Sequence, residues 1–170
     1  MRQVLARWNE IPSADAVREI TPCCGARAWA QLLAGRRPIT SESSLLSASD
    51  EIWHSLQPTD WLEAFHSHPR IGESSAKAPC GSESLAWSQQ EQGRVTTATD
   101  SLRAQLAVLN HAYEEKFGHI FIVCATGKLA SEILAILHRR MQNDEKTELY
   151  EAAEQQRQIT QLRLKKWLGI

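Results

Sequence analysis

"HIFIVCAT", His119 to Thr126, decides the fold class. Its β-branched and aromatic residues, closed by Gly127, have strand character. A strand leaves main-chain donors and acceptors unsatisfied unless neighbouring strands take them, and no second stretch of the chain carries the same pattern. The segment is therefore expected to be a short, buried, extended connector inside an all-α fold.

Both flanks of this segment read as helix. On its N-terminal side Leu102, Leu106, Leu109, Tyr113 and Phe117 recur by steps of four and three, and Gly118 supplies the stop. On its C-terminal side Ile133, Leu134, Leu137 and Met141 mark one helix, and a second runs from about Asp144 to Leu168. Further upstream, Ser13 is expected to cap a helix after Pro12, and Pro22 to restart the chain into a segment that ends at Gly35, with Trp29, Leu32 and Leu33 inward. Leu45, Ile52 and Leu56 share a face of the next helix. Asp60 with Glu63 has the spacing of a capping box for "DWLEAFHS". A long loop is expected over residues 67–83, where Ser, Gly and Pro abound without period, and "SLAWSQQEQGRV" restarts a helix. The chain reads as one compact multi-helix domain over residues 1–170, without repeats or internal linkers.

Composition narrows the function classes. With 170 residues, 42% of them hydrophobic, the chain is long enough to bury a real core. A formal net charge of −1 provides no general field toward nucleic acid or anionic membrane. The apolar runs fall short of the roughly 20 residues that span a bilayer. Cys23, Cys24, Cys80 and Cys124 lack CxxC spacing and are expected as reduced thiols, which fits the cytoplasm.

Three features could carry chemistry. In "FHSHPRIGE" a helix is expected to end at the histidines, because Pro69 disfavours helical backbone at His68. In "SQQEQ" the helical period turns Ser88, Glu91 and Gln92 to one side, joining a hydroxyl, a carboxylate and an amide. In the last helix the inward stripe Leu149, Ala152, Gln156 and Ile159 continues onto Arg163. Such an arginine either snorkels to water or anchors a carboxylate with its planar fork.

Taken in order, "HPRIG", "SQQEQ", "LNHAYEEKFGHIFIVCATGK" and "AAEQQRQITQLRL" resemble the 2-oxo-4-hydroxy-4-carboxy-5-ureidoimidazoline (OHCU) decarboxylase family from about Ile11 onward. The resemblance implies an all-helical, cofactor-free lyase without a metal, a homodimer, that acts on OHCU, the small-molecule precursor of (S)-allantoin in urate breakdown. By the same resemblance His68, Glu91 and Arg163 are the catalytic residues. Substrate-binding positions are Pro69, Ser88, Gln89, Gln90, Glu91, Gln92 and Arg163, together with His119, Ile120, Phe121, Ile122 and Val123, where the main chain meets the ring. Many relatives have Phe-Pro in place of His119-Ile120, and His66 corresponds to no family position.

Two other classes compete. A metal-dependent hydrolase could use His66 and His68 as paired ligands, although neither a second HxH nor an HExxH is present. A non-catalytic helical interaction module would make His68, Glu91 and Arg163 merely structural. A cysteine nucleophile at Cys80 has no partner motif, and Cys124 reads as core.

Overall fold

The computed structural model describes residues 2–71, 82–93 and 99–170. Within them the chain is all-α: α1 (Arg2–Glu10), α2 (Ser13–Cys24), α3 (Arg27–Gly35), α4 (Glu42–Ser55), α5 (Pro58–His66), α6 (Ser82–Glu91), α7 (Asp100–Phe117), α8 (Ala130–Arg140) and α9 (Glu145–Trp167). No strand occurs among the described residues. The expected loop over residues 67–83 lies mostly outside the described residues, as does Cys80, and helix is already present from Ser82.

The chain divides into two units, one formed by Met1–Ala64 with Arg157–Ile170, the other by Phe65–Gln156. Tryptophan dominates the first. Trp8 and Trp29 are fully buried, Trp53 and Trp61 nearly so, and Trp8 meets Trp167 edge-on at 5.6 Å. An indole N–H removed from water needs an acceptor. Trp8 finds Ala16 O at 3.1 Å, Trp29 finds Ser49 Oγ at 3.3 Å, and Trp61 finds Trp53 O at 3.1 Å.

Several helix ends in this unit differ from the sequence reading. Ser13 is the first residue of α2 and not its cap; the Pro12 carbonyl accepts the Asp15 and Ala16 N–H groups. Pro22 does not restart the chain. It sits inside the last turns of α2, which stops two residues further on because Gly25 takes φ +93° and donates to Thr21 O at 2.8 Å. Leu32 is half exposed, since α3 buries Trp29, Ala30, Leu33 and Ala34 instead. Asp60 does cap, but one helical turn earlier than expected: its Oδ2 accepts the Gln57 N–H at 3.1 Å, and Glu63 accepts the Arg27 N–H at 3.0 Å. Leu45 and Ile52 of α4 are buried as their spacing requires, and so is Leu56, which the helix reaches only as its C-cap.

The second unit is built on α7 and α8. Leu106 and Tyr113 are fully buried, and Leu102, Leu109 and Phe117 pack partly buried beside them, so the stripe read from the sequence is the face that α7 presents to the core. Burying one such side chain is worth about 1.5–3 kcal/mol. Gly118 at φ +73° ends the helix and donates to Glu114 O at 2.9 Å. From α8, Ile133 and Leu137 complete the core with Phe121, Val123 and Ala125 of the connector.

The connector is buried from Phe121 to Ala125 and is neither helix nor strand. Side chains, not strands, hold its main chain. Arg140 Nη1 donates to Ile122 O at 2.7 Å, Gln155 Oε1 accepts the Cys124 N–H at 3.0 Å, and Lys128 Nζ donates to Cys124 O at 2.6 Å. A segment with strand composition thus stays alone in a helical core because its polar groups are satisfied by residues from α8, α9 and the following turn.

Candidate active site

In the Phe65–Gln156 unit, the end of α5 positions the first candidate. The His68 N–H donates to Phe65 O at 3.1 Å, which turns the chain out of the helix just before Pro69. His66 is the exposed last residue of α5, whereas His68 and Pro69 are half-buried. Immediately after them, the Arg70 guanidinium grips Glu114 through two bonds of 2.6 and 2.8 Å, and Asn110 Nδ2 donates to Ile71 O at 2.9 Å. The "HPRI" segment is therefore fastened to α7 by a bidentate ion pair and a buried amide.

On α6, Ser88 is buried while Glu91 and Gln92 are half-buried, and the Gln92 N–H donates to Ser88 O at 3.0 Å. The shared face predicted by helical spacing is present. Gln89 and Gln90 are exposed on the other side.

His119, Phe121, Ile122 and Val123 are buried and Ile120 is half-buried. The His119 ring lies among aromatic rings: Phe65 at 5.3 Å, Tyr113 at 5.5 Å and Phe117 at 6.4 Å. Its Nδ1 is 3.0 Å from Ile120 O, and a carbonyl can only accept, so Nδ1 carries the proton. Burial lowers the His119 pKa below its ordinary 6.5, outweighing the opposite pull of the Ile120 carbonyl and Glu148. Burial likewise raises the Cys124 thiol, with Lys128 acting against it and the Glu91 carboxylate reinforcing it. A thiol so placed is a poor nucleophile. The Phe65 ring on His119 brings the end of α5 against the connector, and the Glu91 charge at the end of α6 acts on the Cys124 thiol.

Arg163 belongs to the other unit. It is 1% exposed, so it does not snorkel, and its Nη1 lies 3.3 Å from Pro22 O. Beside it, the Cys24 thiol is pushed up to about 12 by burial, against the lowering effects of hydrogen bonds and of the Arg163 charge. Among the described residues no cluster of three or more His, Cys, Asp or Glu side chains could hold a metal ion.

Sequence reasoning missed a buried ionic cluster. Arg140, Glu148 and Tyr113 are all 0% exposed, Arg140 Nε donates to Glu148 Oε1 at 2.8 Å, and the Tyr113 hydroxyl donates to the same carboxylate. A signal was available: one step of four back from Ala152 on the α9 stripe lands on Glu148.

Comparison with known proteins gives a concordant result. The family model described as OHCU decarboxylase matches residues 9–165. The chain is 37% identical over 147 residues to the uric acid degradation bifunctional protein of Arabidopsis thaliana, covering 85% of this chain and 44% of that protein. It is 29% identical over 167 residues to the 2-oxo-4-hydroxy-4-carboxy-5-ureidoimidazoline decarboxylase of Amia calva, covering 96% and 91% of the two chains. The chain thus spans less than half the length of the bifunctional relatives it matches. Its fold superimposes on a crystal structure of OHCU decarboxylase in the presence of (S)-allantoin with a TM-score of 0.77 and 32% identity, covering 89% of this chain and 98% of the other.

Proposed function

The chain belongs to the OHCU decarboxylase family, and from that premise we propose that it decarboxylates 2-oxo-4-hydroxy-4-carboxy-5-ureidoimidazoline to (S)-allantoin. The observation that carries this reading is the family match over residues 9–165, which contains "HPRIG", "SQQEQ", "FGHIFIV" and "LRL" together.

The substrate supplies its own electron sink. One ring carbon bears a hydroxyl and a carboxylate and adjoins a C=N bond, so breaking the carbon–carboxylate bond releases CO2 and moves the electron pair toward the imine. The former imine nitrogen, having taken the electron pair, gains a proton, and the enol then loses its hydroxyl proton to give the carbonyl while the ureido-bearing carbon gains one. A proton thereby replaces CO2, and delivery to one face sets the S configuration. Neither an organic cofactor nor a metal is required for this sequence.

In this reading His68 receives the hydroxyl proton, and Glu91 orients and charges the imidazole. Arg163 holds the anion and the polar edge of the ring with its planar fork. Ser88, Gln92 and the main chain of residues 119–123 fix the ring, with Pro69 as a wall; Gln89 and Gln90, exposed on α6, stand at the margin. The chain acts as one catalytic domain and as a homodimer. The buried thiols of Cys23, Cys24 and Cys124 support a reducing compartment, the cytoplasm.

The deciding experiment generates the unstable substrate in situ from urate and follows optically active allantoin by circular dichroism. Appearance of the S enantiomer faster than the spontaneous racemic background is expected. Racemic product at the background rate would refute the proposal.

A further inference from the structure

The Arg140–Glu148–Tyr113 cluster takes no part in the steps just described, yet among the described residues of the Phe65–Gln156 unit it holds the most deeply buried charges. Glu148 is fully engaged: Arg140 and Tyr113 bond to Oε1, and Asn143 Nδ2 donates to Oε2 at 2.7 Å. The guanidinium has a second branch. Its Nη1 donates to the Ile122 carbonyl at 2.7 Å, and its carbon lies 4.7 Å from the centre of the Phe121 ring.

Stability is a weak reason for such a pair. Desolvating two charges costs as much as their attraction returns, and apolar residues of similar volume commonly fill such a site without loss. What apolar packing cannot provide is a directed bond to one carbonyl. The connector has special need of it, because no strand sets its register. Its Ile122 and Cys124 main-chain groups turn toward Arg140, Gln155 and Lys128, whereas no hydrogen bond within the described residues reaches the main-chain N–H or C=O of Phe121 or Val123. In extended backbone, alternate residues direct their polar groups to opposite edges.

We propose that Arg140, braced by Glu148, is a positioning residue that fixes the Ile122 carbonyl and so presents the main chain of Phe121 and Val123 to the substrate ring. This inference rests on the reading that residues 119–123 contact substrate.

Two variants and one measurement on the unaltered protein test it. Arg140→Lys keeps a cation beside Glu148 but cannot fork to both the carboxylate and the carbonyl, and Glu148→Gln keeps the shape while removing the brace. In both, KM and the Kd for (S)-allantoin should rise about tenfold while kcat changes less than about threefold, measured where circular dichroism shows native helix content. In the unaltered protein, saturating (S)-allantoin should slow amide hydrogen exchange at Phe121 and Val123. A lowered Tm with unchanged KM and Kd would leave the cluster merely structural and overturn the inference. So would unaltered exchange at both amides, even if neither variant folds. Absence of stereospecific turnover by the wild-type chain would instead remove the functional reading and this inference with it.

Discussion

The Arg163 guanidinium donates to the main-chain carbonyl of Pro22 at 3.3 Å, from a side chain with 1% of its surface exposed. Burying a guanidinium this far from water is costly unless hydrogen-bond acceptors replace the lost solvent. A helix carbonyl is one such acceptor, and it is part of the fold, present with or without substrate.

Arg163→Lys should therefore separate folding from binding. Ammonium retains the charge that the carbonyl solvates but loses the planar fork for a carboxylate, so binding of (S)-allantoin should weaken by about tenfold or more with native circular dichroism. Isothermal titration calorimetry reads the difference. Unchanged affinity would remove Arg163 from the site.

His68→Ala should lower kcat by about 10²–10⁴-fold, the range for loss of a general acid–base group, with little change in Tm because the half-buried side chain contributes modest packing. Glu91→Gln keeps the shape and should cost activity in the same direction, since an amide cannot stabilise an imidazolium. Steady-state kinetics of optically active allantoin formation measures both. Near-normal stereospecific turnover by His68→Ala would exclude the proton-transfer role.

Exhaustive chelation followed by assay distinguishes the lyase from a hydrolase built on His66 and His68. Turnover should survive, because electrons from the broken bond flow into the substrate's own imine. Loss on chelation with rescue by zinc would favour the hydrolase.

The parts of this molecule legible in its sequence are those set by local rules. The α7 stripe ending at Gly118 follows from helical period and glycine's tolerance of positive φ, and the Ser88, Glu91 and Gln92 face follows from spacing alone. The errors came where tertiary contacts outvote local signals. Pro22 lacks a donor but sits late enough in α2 for the helix to continue past it, and Gly25 is the true stop. Glu63 has the spacing of half a capping box, yet the Arg27 N–H, 36 residues away, takes its carboxylate. Nothing local to Arg140 announces that Glu148 and the Ile122 carbonyl await it. The roles of His68 and Arg163 are written in neither period nor composition; the motif order alone pointed to them.

Gly118→Ala should destabilise the fold by about 1 kcal/mol. A methyl at this position would meet no atom within 4 Å, so the cost comes from the backbone at φ +73° and not from a clash. Urea denaturation of both proteins reads it. An unchanged midpoint would mean that the chain leaves α7 by another route.

Stability should fall as pH drops below about 6.5, and His119 should account for part of the fall. Burial lowers its folded-state pKa beneath the 6.5 of an exposed imidazole, despite the Ile120 carbonyl and Glu148, while Arg140 and His66 act in the same direction as burial. Between those two values the unfolded chain binds the extra proton and the folded chain does not, so the unfolding free energy rises with pH through that window. The destabilisation is absent above 6.5, grows as pH falls, and is complete once pH passes below the folded-state value. Carboxylates held low in the fold act in the same sense but later: Asp144, through its bonds to Thr147, only below an ordinary 3.8, and Glu151, where burial pushes upward but Arg139, Arg140 and Asn143 together outweigh it, only below 4.5. His119→Phe keeps an aromatic ring beside Phe65, Tyr113 and Phe117 and removes the titrating group. Its Tm should therefore vary less than that of the wild-type chain between pH 7.5 and 5, the two proteins being scanned by differential calorimetry in matched buffers. Parallel pH profiles would show that His119 reaches a proton in the folded state as readily as in the unfolded one.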